Sequence, residues 1–410
     1  MKLLQVNRYY AEVGGTERYF REVSPILEAH GIRISVLYGL PPQGAMHVAG
    51  REEIALPGLF DPATPEPKRL RMLEEQLCRI VPDVIQIHHV EDPALIRACA
   101  DRRPTIQFIH VHSPFLCPGE GRFAKWTGEN CQRQVGPFCV IAPYIQACGS
   151  RRPWQILGSY GLTRELLRAS HCVARIVVAS QYMRGLLINH GIPEQRILVH
   201  PHPFVPGDAH REEVVERPAS ILYVGRMSPQ KGVEYLLEAV ASLDQRCSLT
   251  LVGDGPSRSR LEAMAWGKPG ERHDIAFTGW LPHDEVRRLY EQNQVVAFPS
   301  VWPEPFGRVG LEAAGLGRPV VAFDVGGVRE WLTDGHNGFL VPPRDTAAFA
   351  AALRRLLLDD GLRQAMGRNG QELARTRFDP RRHVETMLSL YDDLLMTADG
   401  RAGSGSTAHG

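Results

Sequence analysis

No stretch of this chain stays apolar for the ~18 residues that a membrane-spanning helix requires, which excludes a spanning segment. The opening residues MKLLQVNRYY turn polar too soon for a secretory signal. A cytoplasmic location is therefore expected, with peripheral contact at the inner membrane face as the variant that the basic clusters allow. Net charge is missing too. It is +1 over 410 residues, which removes the electrostatic case for a nucleic-acid partner. Basic clusters do occur (Lys68-Arg69-Arg71, Arg102-Arg103, Arg151-Arg152). Most such clusters are solvated faces, though one could touch an anionic membrane. There is no C-x-x-C pair among the eight cysteines. In a reducing compartment these are expected as thiols or metal ligands, not disulfides. No repeat of roughly 20–50 residues is visible, which excludes solenoids and propellers.

What is present is alternation. The length sets an expectation of two to three domains. Short apolar runs at 2–6, 32–38, 84–88, 106–109, 176–179 and 197–200 read as strands. Helical periodicity covers 68–80, 94–100, 164–169 and 182–190. A glycine turn and a helix follow the first strand, with Tyr19, Phe20, Val23, Ile26 and Leu27 on one stripe. Residues 41–67 are rich in Pro and Gly and read as loop. A Pro-rich polar stretch without period, PHPFVPGDAHREEVVERPAS, reads as a linker. The alternation then restarts. Strands are expected at 221–224, 249–252, 275–278, 295–298, 320–323 and 339–341, and helices at 284–292, 347–358, 362–376 and 383–396. Two such series predict an α/β chain of two doubly wound, Rossmann-like parallel sheets: a first domain over 1–205 and a second over 206–379. Residues 398–410 have the composition of a disordered tail.

The stretch 295–331 organises the second series. Pro299, Pro303 and Pro305 forbid regular structure after an apolar strand, and a helix starts near Gly307. A loop at the carboxyl end of a strand that feeds a helix start is where ligands bind in parallel sheets. Free amides around Gly307, Arg308 and Val309, with the positive helix end behind them, suit a phosphate or a sugar oxygen. Glu304 is held between prolines, and Glu312 follows eight residues on; a carboxylate accepts hydrogen bonds from sugar and ribose hydroxyls. Earlier, Gly14-Gly15 between strand and helix forms a phosphate or acceptor cradle. GRMSPQKG places Arg226 and Lys231 in a strand-to-helix turn, two cations of the kind a nucleotide diphosphate needs when no metal is present. His110 and His112 lie just past the strand at 106–109.

The region 113–155 breaks the alternation. Cys117, Cys131, Cys139 and Cys148 fall inside it. Their spacing leaves structural zinc, plain thiols and a redox bridge open.

Glu304-Pro-Phe-Gly followed by Glu312 resembles the paired-glutamate signature of retaining glycosyltransferases, above all glycosyltransferase family 4 (glycosyltransferase group 1). The GGVREW segment and the Gly-Arg…Lys-Gly turn are similar to that family as well. The resemblance covers most of 1–395 and is more specific in the second half. It implies the GT-B fold, two domains facing across a cleft, with the helix over 380–397 packing back on the first. It implies a hexosyltransferase that needs no cofactor for catalysis. The donor would be a UDP- or GDP-linked sugar; the acceptor would be a glycan, lipid-linked or small-molecule hydroxyl, as in polysaccharide, glycolipid or other cell-surface glycan synthesis. In the site it implies, Glu304 and His110 face the sugar, and Arg226 and Lys231 hold the departing diphosphate. Gly14, Gly15, Asp254, Gly279, Phe306, Gly307, Arg308, Val309 and Glu312 surround the donor, with Glu312 on the ribose. Trp280 would pack on the base. The family's usual residue after the histidine is Asp, and Val111 stands here, so His110 and His112 both stay open. Two other readings of the same plan remain: a nucleotide-sugar 2-epimerase and a catalytically inactive nucleotide-sugar-binding protein.

Overall fold

Short runs of β-branched and aromatic residues make buried parallel strands, and in this chain they assemble into two separate sheets. The computed structural model describes residues 1–10, 15–40, 50–206, 215–266 and 273–404. The chain divides into two compact units. Unit 1 comprises Met1–Arg122, Gln132–His202 and Pro380–Gly410, and unit 2 comprises Phe123–Cys131 and Pro203–Asp379.

Unit 1 holds strands β1 (Lys2–Tyr9), β2 (Arg33–Leu40), β3 (Glu52–Ala55), β4 (Val84–His88), β5 (Thr105–Phe108), β6 (Arg175–Val178) and β7 (Ile197–Val199). All pairings are parallel, in the order β3-β2-β1-β4-β5-β6-β7. Helices cover both faces. On one, Leu73, Leu77, Ile96 and Leu166 pack on Leu4, Ile85 and Ile176. On the other, Tyr19, Val23 and Leu27 pack on Leu3, Ile34 and Ile106, joined by Val384, Met387 and Tyr391 from the last helix, Pro380–Ser404.

Unit 2 holds β8 (Ser220–Val224), β9 (Ser248–Val252), β10 (Asp274–Gly279), β11 (Val295–Phe298), β12 (Val320–Phe323) and β13 (Gly338–Val341). These are again all parallel, in the order β10-β9-β8-β11-β12-β13. The order reverses between β8 and β11, which is the switch point where a doubly wound sheet opens a crevice at its strands' carboxyl ends. The doubly wound α/β expectation is therefore met in both units.

Several expectations change. The loop read over 41–67 contains β3, an edge strand whose sequence EEIA carries no apolar run, and Pro57–Leu59 forms a 3₁₀ turn. The helix Arg258–Trp266 is not expected from the sequence, because its apolar residues follow no helical period. The insert 113–155 contains the helix Phe138–Gln146 and the start of Pro153–Ser170. Its piece Phe123–Cys131 belongs to unit 2. The last helix continues through Ser404, into the stretch read as disordered, since each residue added to a formed helix gains a backbone hydrogen bond. Among the described residues no helix is long and apolar enough to cross a membrane.

Candidate functional site

Four loops meet at the carboxyl edge of the unit 2 sheet, and glycines let them approach. Gly225 donates to Val252 O (3.0 Å), and Gly253 donates to Gly279 O (2.8 Å). Gly253 has φ +124, and a side chain there would stand 2.1 Å from Gly225 O. Gly255 sits the same way, with its missing Cβ 2.3 Å from Met227 O. Only glycine fits both contacts. The turns after β8, β9 and β10 are thereby layered on one another, and they bring together Arg226, Asp254 and Gly279.

Arg226 is exposed, and its guanidinium makes no hydrogen bond or ion pair among the described residues. Lys231 closes the 3₁₀ turn Pro229–Lys231. Gly232 follows at φ +63, packed against Pro299 O. That packing fixes the β8 turn to the loop after β11. Lys231 Nζ then reaches Glu304 Oε1 at 2.6 Å and lies 5.2 Å from the centre of the Trp302 ring. Sequence reading treated these two residues as separate elements, yet they form one ion pair. Glu304 is only 4% exposed. Ser300 Oγ donates to the same Oε1 at 2.7 Å. Both donors converge on one carboxylate oxygen, and Oε2 accepts no hydrogen bond among the described residues. Beneath the pair, burial and the Glu304 charge push the Tyr223 hydroxyl far above its ordinary pKa, so it stays neutral and donates to Arg226 O (3.0 Å).

The backbone of Glu304 is held from below. Gly327 donates to Glu304 O (2.7 Å), and Gly326, at φ +53, leaves no room for a Cβ, which would meet Glu304 O at 2.3 Å and Glu304 N at 2.6 Å. Trp331 is fully buried and donates from Nε1 to Phe306 O (2.7 Å). Its ring fills the space above Gly310. The GGVREW segment is thus the support of the Glu304–Gly307 loop. We expect Gly326→Ala to cost about 1–3 kcal/mol through strain at a left-handed backbone position. It should also displace Glu304. Thermal unfolding of the variant reads the first effect and donor affinity the second; an unchanged affinity would refute the buttress.

Gly307 (φ +88) precedes the helix Arg308–Gly315, and no side chain caps its start. Arg308 Nε and Glu312 Oε1 lie 3.9 Å apart on one face, both mostly buried. The helix starts at Arg308, so Glu312 sits one turn from its start. The Phe306 ring is buried edge-on to Phe378 at 6.1 Å, which leaves only its backbone at the turn. Asp254 accepts from Gly255 N (2.6 Å) and pairs with Arg258 (3.1 Å). Trp280 is 69% exposed, a surface residue and not core.

In unit 1, Gly15 opens the helix Gly15–Ala29, and Gly14 lies outside the described residues. The two candidate histidines separate. His112 is fully buried, edge-on to Tyr182, and burial followed by the Arg122 charge lowers its pKa to about 3. His110 is half-buried, with Nε2 at 3.0 Å from His88 Nδ1. His88 is the last residue of β4, fully buried and stacked 4.2 Å over Phe108. Its Nε2 has no partner among the described residues. An unmade buried N–H costs more than an unfilled lone pair, so the proton belongs on His88 Nδ1, donated to His110. His110 then carries its own proton on Nδ1. His202 stacks on His110 at 5.5 Å. Sequence reading missed His88 and His202; His88-His89 at a strand's carboxyl end was the available signal.

The four cysteines of the insert are free thiols, so the redox bridge is not formed. Cys131 belongs to unit 2 and the other three to unit 1. Cys117 Sγ accepts from Gly119 N at 3.3 Å. Among the described residues no group of three or more His, Cys, Asp or Glu side chains is placed to hold a metal ion. The zinc expectation is corrected accordingly: the residues present do not fit one.

Two doubly wound units in one chain, one with a cationic turn at its switch point, make up the GT-B class of fold. Solved structures agree. HepE of Anabaena, solved with UDP and glucose, matches with a TM-score of 0.71 at 19% identity over 96% of this chain and 100% of that one. Sucrose-phosphate synthase from Thermosynechococcus elongatus matches with a TM-score of 0.70 at 20% identity, over 97% and 100% of the two chains. The family model "Glycosyl transferases group 1" matches residues 208–373, and "Glycosyltransferase Family 4" matches 13–206. The chain belongs to glycosyltransferase family 4. Among curated relatives, alpha-D-kanosaminyltransferase of Streptomyces kanamyceticus is 35% identical over 46% of this chain and 50% of its own length. D-inositol 3-phosphate glycosyltransferase of Corynebacterium kroppenstedtii is 35% identical over 43% and 40%. The chain spans half or less of the length of these relatives.

Proposed function

We propose that this protein moves a glycosyl group from a nucleotide diphosphate sugar to a hydroxyl acceptor with retention at the anomeric carbon. The observation that carries this reading is the Lys231–Glu304 pair, with the exposed Arg226 in the same strand-to-helix turn as Lys231, at the switch point of unit 2. The C–O bond to the diphosphate breaks first, and charge builds on the leaving oxygens. Arg226, Lys231 and the amides of Arg308 and Val309 stabilise it. Lys231 has three donors, so it can serve a phosphate oxygen and Glu304 together. Glu304 Oε2 accepts from a sugar hydroxyl and orients the donor, and Glu312 accepts from the ribose. Asp254, Gly279 and Trp280 flank the base. His110, the more exposed of the two histidines, is assigned to the sugar. The acceptor's proton passes to the leaving phosphate oxygen on the same face as the new bond, so atoms and charge balance without a separate base. UDP in the HepE structure favours a UDP-linked donor. A glycan or lipid-borne acceptor at the cytoplasmic membrane face is the setting we assign.

A thermal-shift screen against UDP- and GDP-sugars tests the reading. A donor at 100 times its dissociation constant adds about 2.7 kcal/mol. That raises the unfolding temperature of a domain this size by roughly 5–10 °C. Turnover should persist in a chelator, because side chains carry the charge. A flat screen, or loss of turnover in chelator, would sink the proposal.

A further inference from the structure

The insert's two helices leave a large apolar surface uncovered. On Phe138–Gln146, Ile141, Tyr144 and Ile145 share one face and are all exposed. On Pro153–Ser170, Trp154 is 68% exposed and Leu157 59%. The same stripe continues through Gly158 and Gly161, where a side chain would meet only open space, to the exposed Arg164. The opposite face of that helix is buried through Ile156, Thr163 and Leu166, so the exposed stripe is the outer side of a docked helix and not a frayed end. Five large side chains within twenty residues are exposed on two helices that touch, a density soluble surfaces rarely carry without a partner.

Charge says which partner. Between Glu129 and Glu165 the chain has no Asp or Glu, and it has Arg133, Arg151, Arg152 and Arg164. Arg151 and Arg152 are exposed and directly precede the helix that carries Trp154. Arg133 lies over the Phe138 ring at 3.9 Å, at the start of the other helix. Arg164 stands two turns beyond Leu157. Exposed aliphatic and aromatic side chains interspersed in sequence with arginines, with no carboxylate between residues 130 and 164, match an anionic lipid surface: the apolar groups enter the acyl boundary and the guanidiniums meet headgroup phosphates. A second copy of this chain would bring the same cations against themselves.

We propose that this surface of unit 1, Ile141, Tyr144, Ile145, Trp154 and Leu157 within their arginine rim, docks the protein on an anionic bilayer. Sedimentation of the full chain with vesicles tests it, and no nucleotide sugar enters the assay, so the outcome is independent of the proposed transfer activity. Vesicles of phosphatidylcholine with roughly a third phosphatidylglycerol should bind the protein at least ~10-fold better than phosphatidylcholine alone, and less well as salt rises. Arg151→Glu with Arg152→Glu should lower that binding by about 10-fold or more, as should Trp154→Glu with Leu157→Glu. All four side chains are exposed, so the unfolding temperature of each variant should match wild type. Equal binding to both vesicle types, or variants that bind like wild type, overturns the proposal. So does a dimer in light scattering that Trp154→Glu dissociates, since the occupant would then be a second copy.

Discussion

Glu304→Gln is expected to lower turnover by roughly 10²–10³ while the protein stays folded. The substitution keeps the shape of the side chain and removes its charge. Ser300 Oγ can still donate to the remaining carbonyl oxygen, so the loop stays anchored. What is lost is the carboxylate that fixes Lys231 at 2.6 Å and accepts the sugar hydroxyl. The two roles give a distinctive signature. Binding of the nucleoside diphosphate alone should not weaken, because the Lys231 ammonium, released from its partner, is freer to meet phosphate. Binding of the intact nucleotide sugar should lose the hydroxyl contact, and the chemical step should slow. Single-turnover rates together with titrations of both ligands separate these effects. A variant that turns over near the wild-type rate would take Glu304 out of the mechanism. One that loses nucleoside diphosphate affinity would mean that the pair acts as a unit on the phosphate, not on the sugar.

That coupling was the part of the site that the sequence could not display. Each residue was legible alone. Glu304 stood out because prolines flank it, and Lys231 because it closes a strand-to-helix turn. Their contact spans 73 positions and depends on Gly232 packing against Pro299 O, a backbone approach that no spacing encodes. Strands were read well where burial on both faces demands continuous apolar runs: β4, β11 and β12 match to the residue. They were lost where the demand is weak, as in the edge strand β3, half of whose short sequence is acidic. The cysteines misled for a similar reason. Four thiols close in sequence invite a metal, but among the described residues no three potential ligands are placed to hold one. Arg308 and Glu312, by contrast, are four residues apart on a helix, so their proximity follows from helical geometry alone.

Acid should unfold unit 1 progressively as pH falls below ~6.5. His88, His112 and His200 all lie in this unit, and burial holds each of them neutral. For His88 the neighbouring His110 and His89 add to the effect, and for His112 the Arg122 charge does. Folded values of about 3 for His112 and about 4 for His200 compare with 6.5 for a free histidine. The unfolded chain therefore binds more protons than the folded one below pH ~6.5. The sign is fixed by that difference: the stability is present in full above pH ~6.5 and drains away as pH falls toward the folded values. Each such histidine contributes a slope of up to about 1.4 kcal/mol per pH unit, and three together rival the 5–15 kcal/mol of a typical domain. Glu91 works the other way, since burial raises its pKa and the folded state holds the extra proton, but it is a single group against three histidines. Urea midpoints at pH 7.5, 6.5 and 5.5 should fall steadily, with the loss located in unit 1 by hydrogen exchange. His200→Gln supplies the control. His200 Nε2 donates to His383 O at 3.1 Å, and a glutamine amide can keep that bond without titrating. Its slope with pH should be shallower by close to one proton. A wild-type midpoint that does not move between pH 7.5 and 5.5 would show that these rings reach water, and it would also remove the neutral His88 that orients His110.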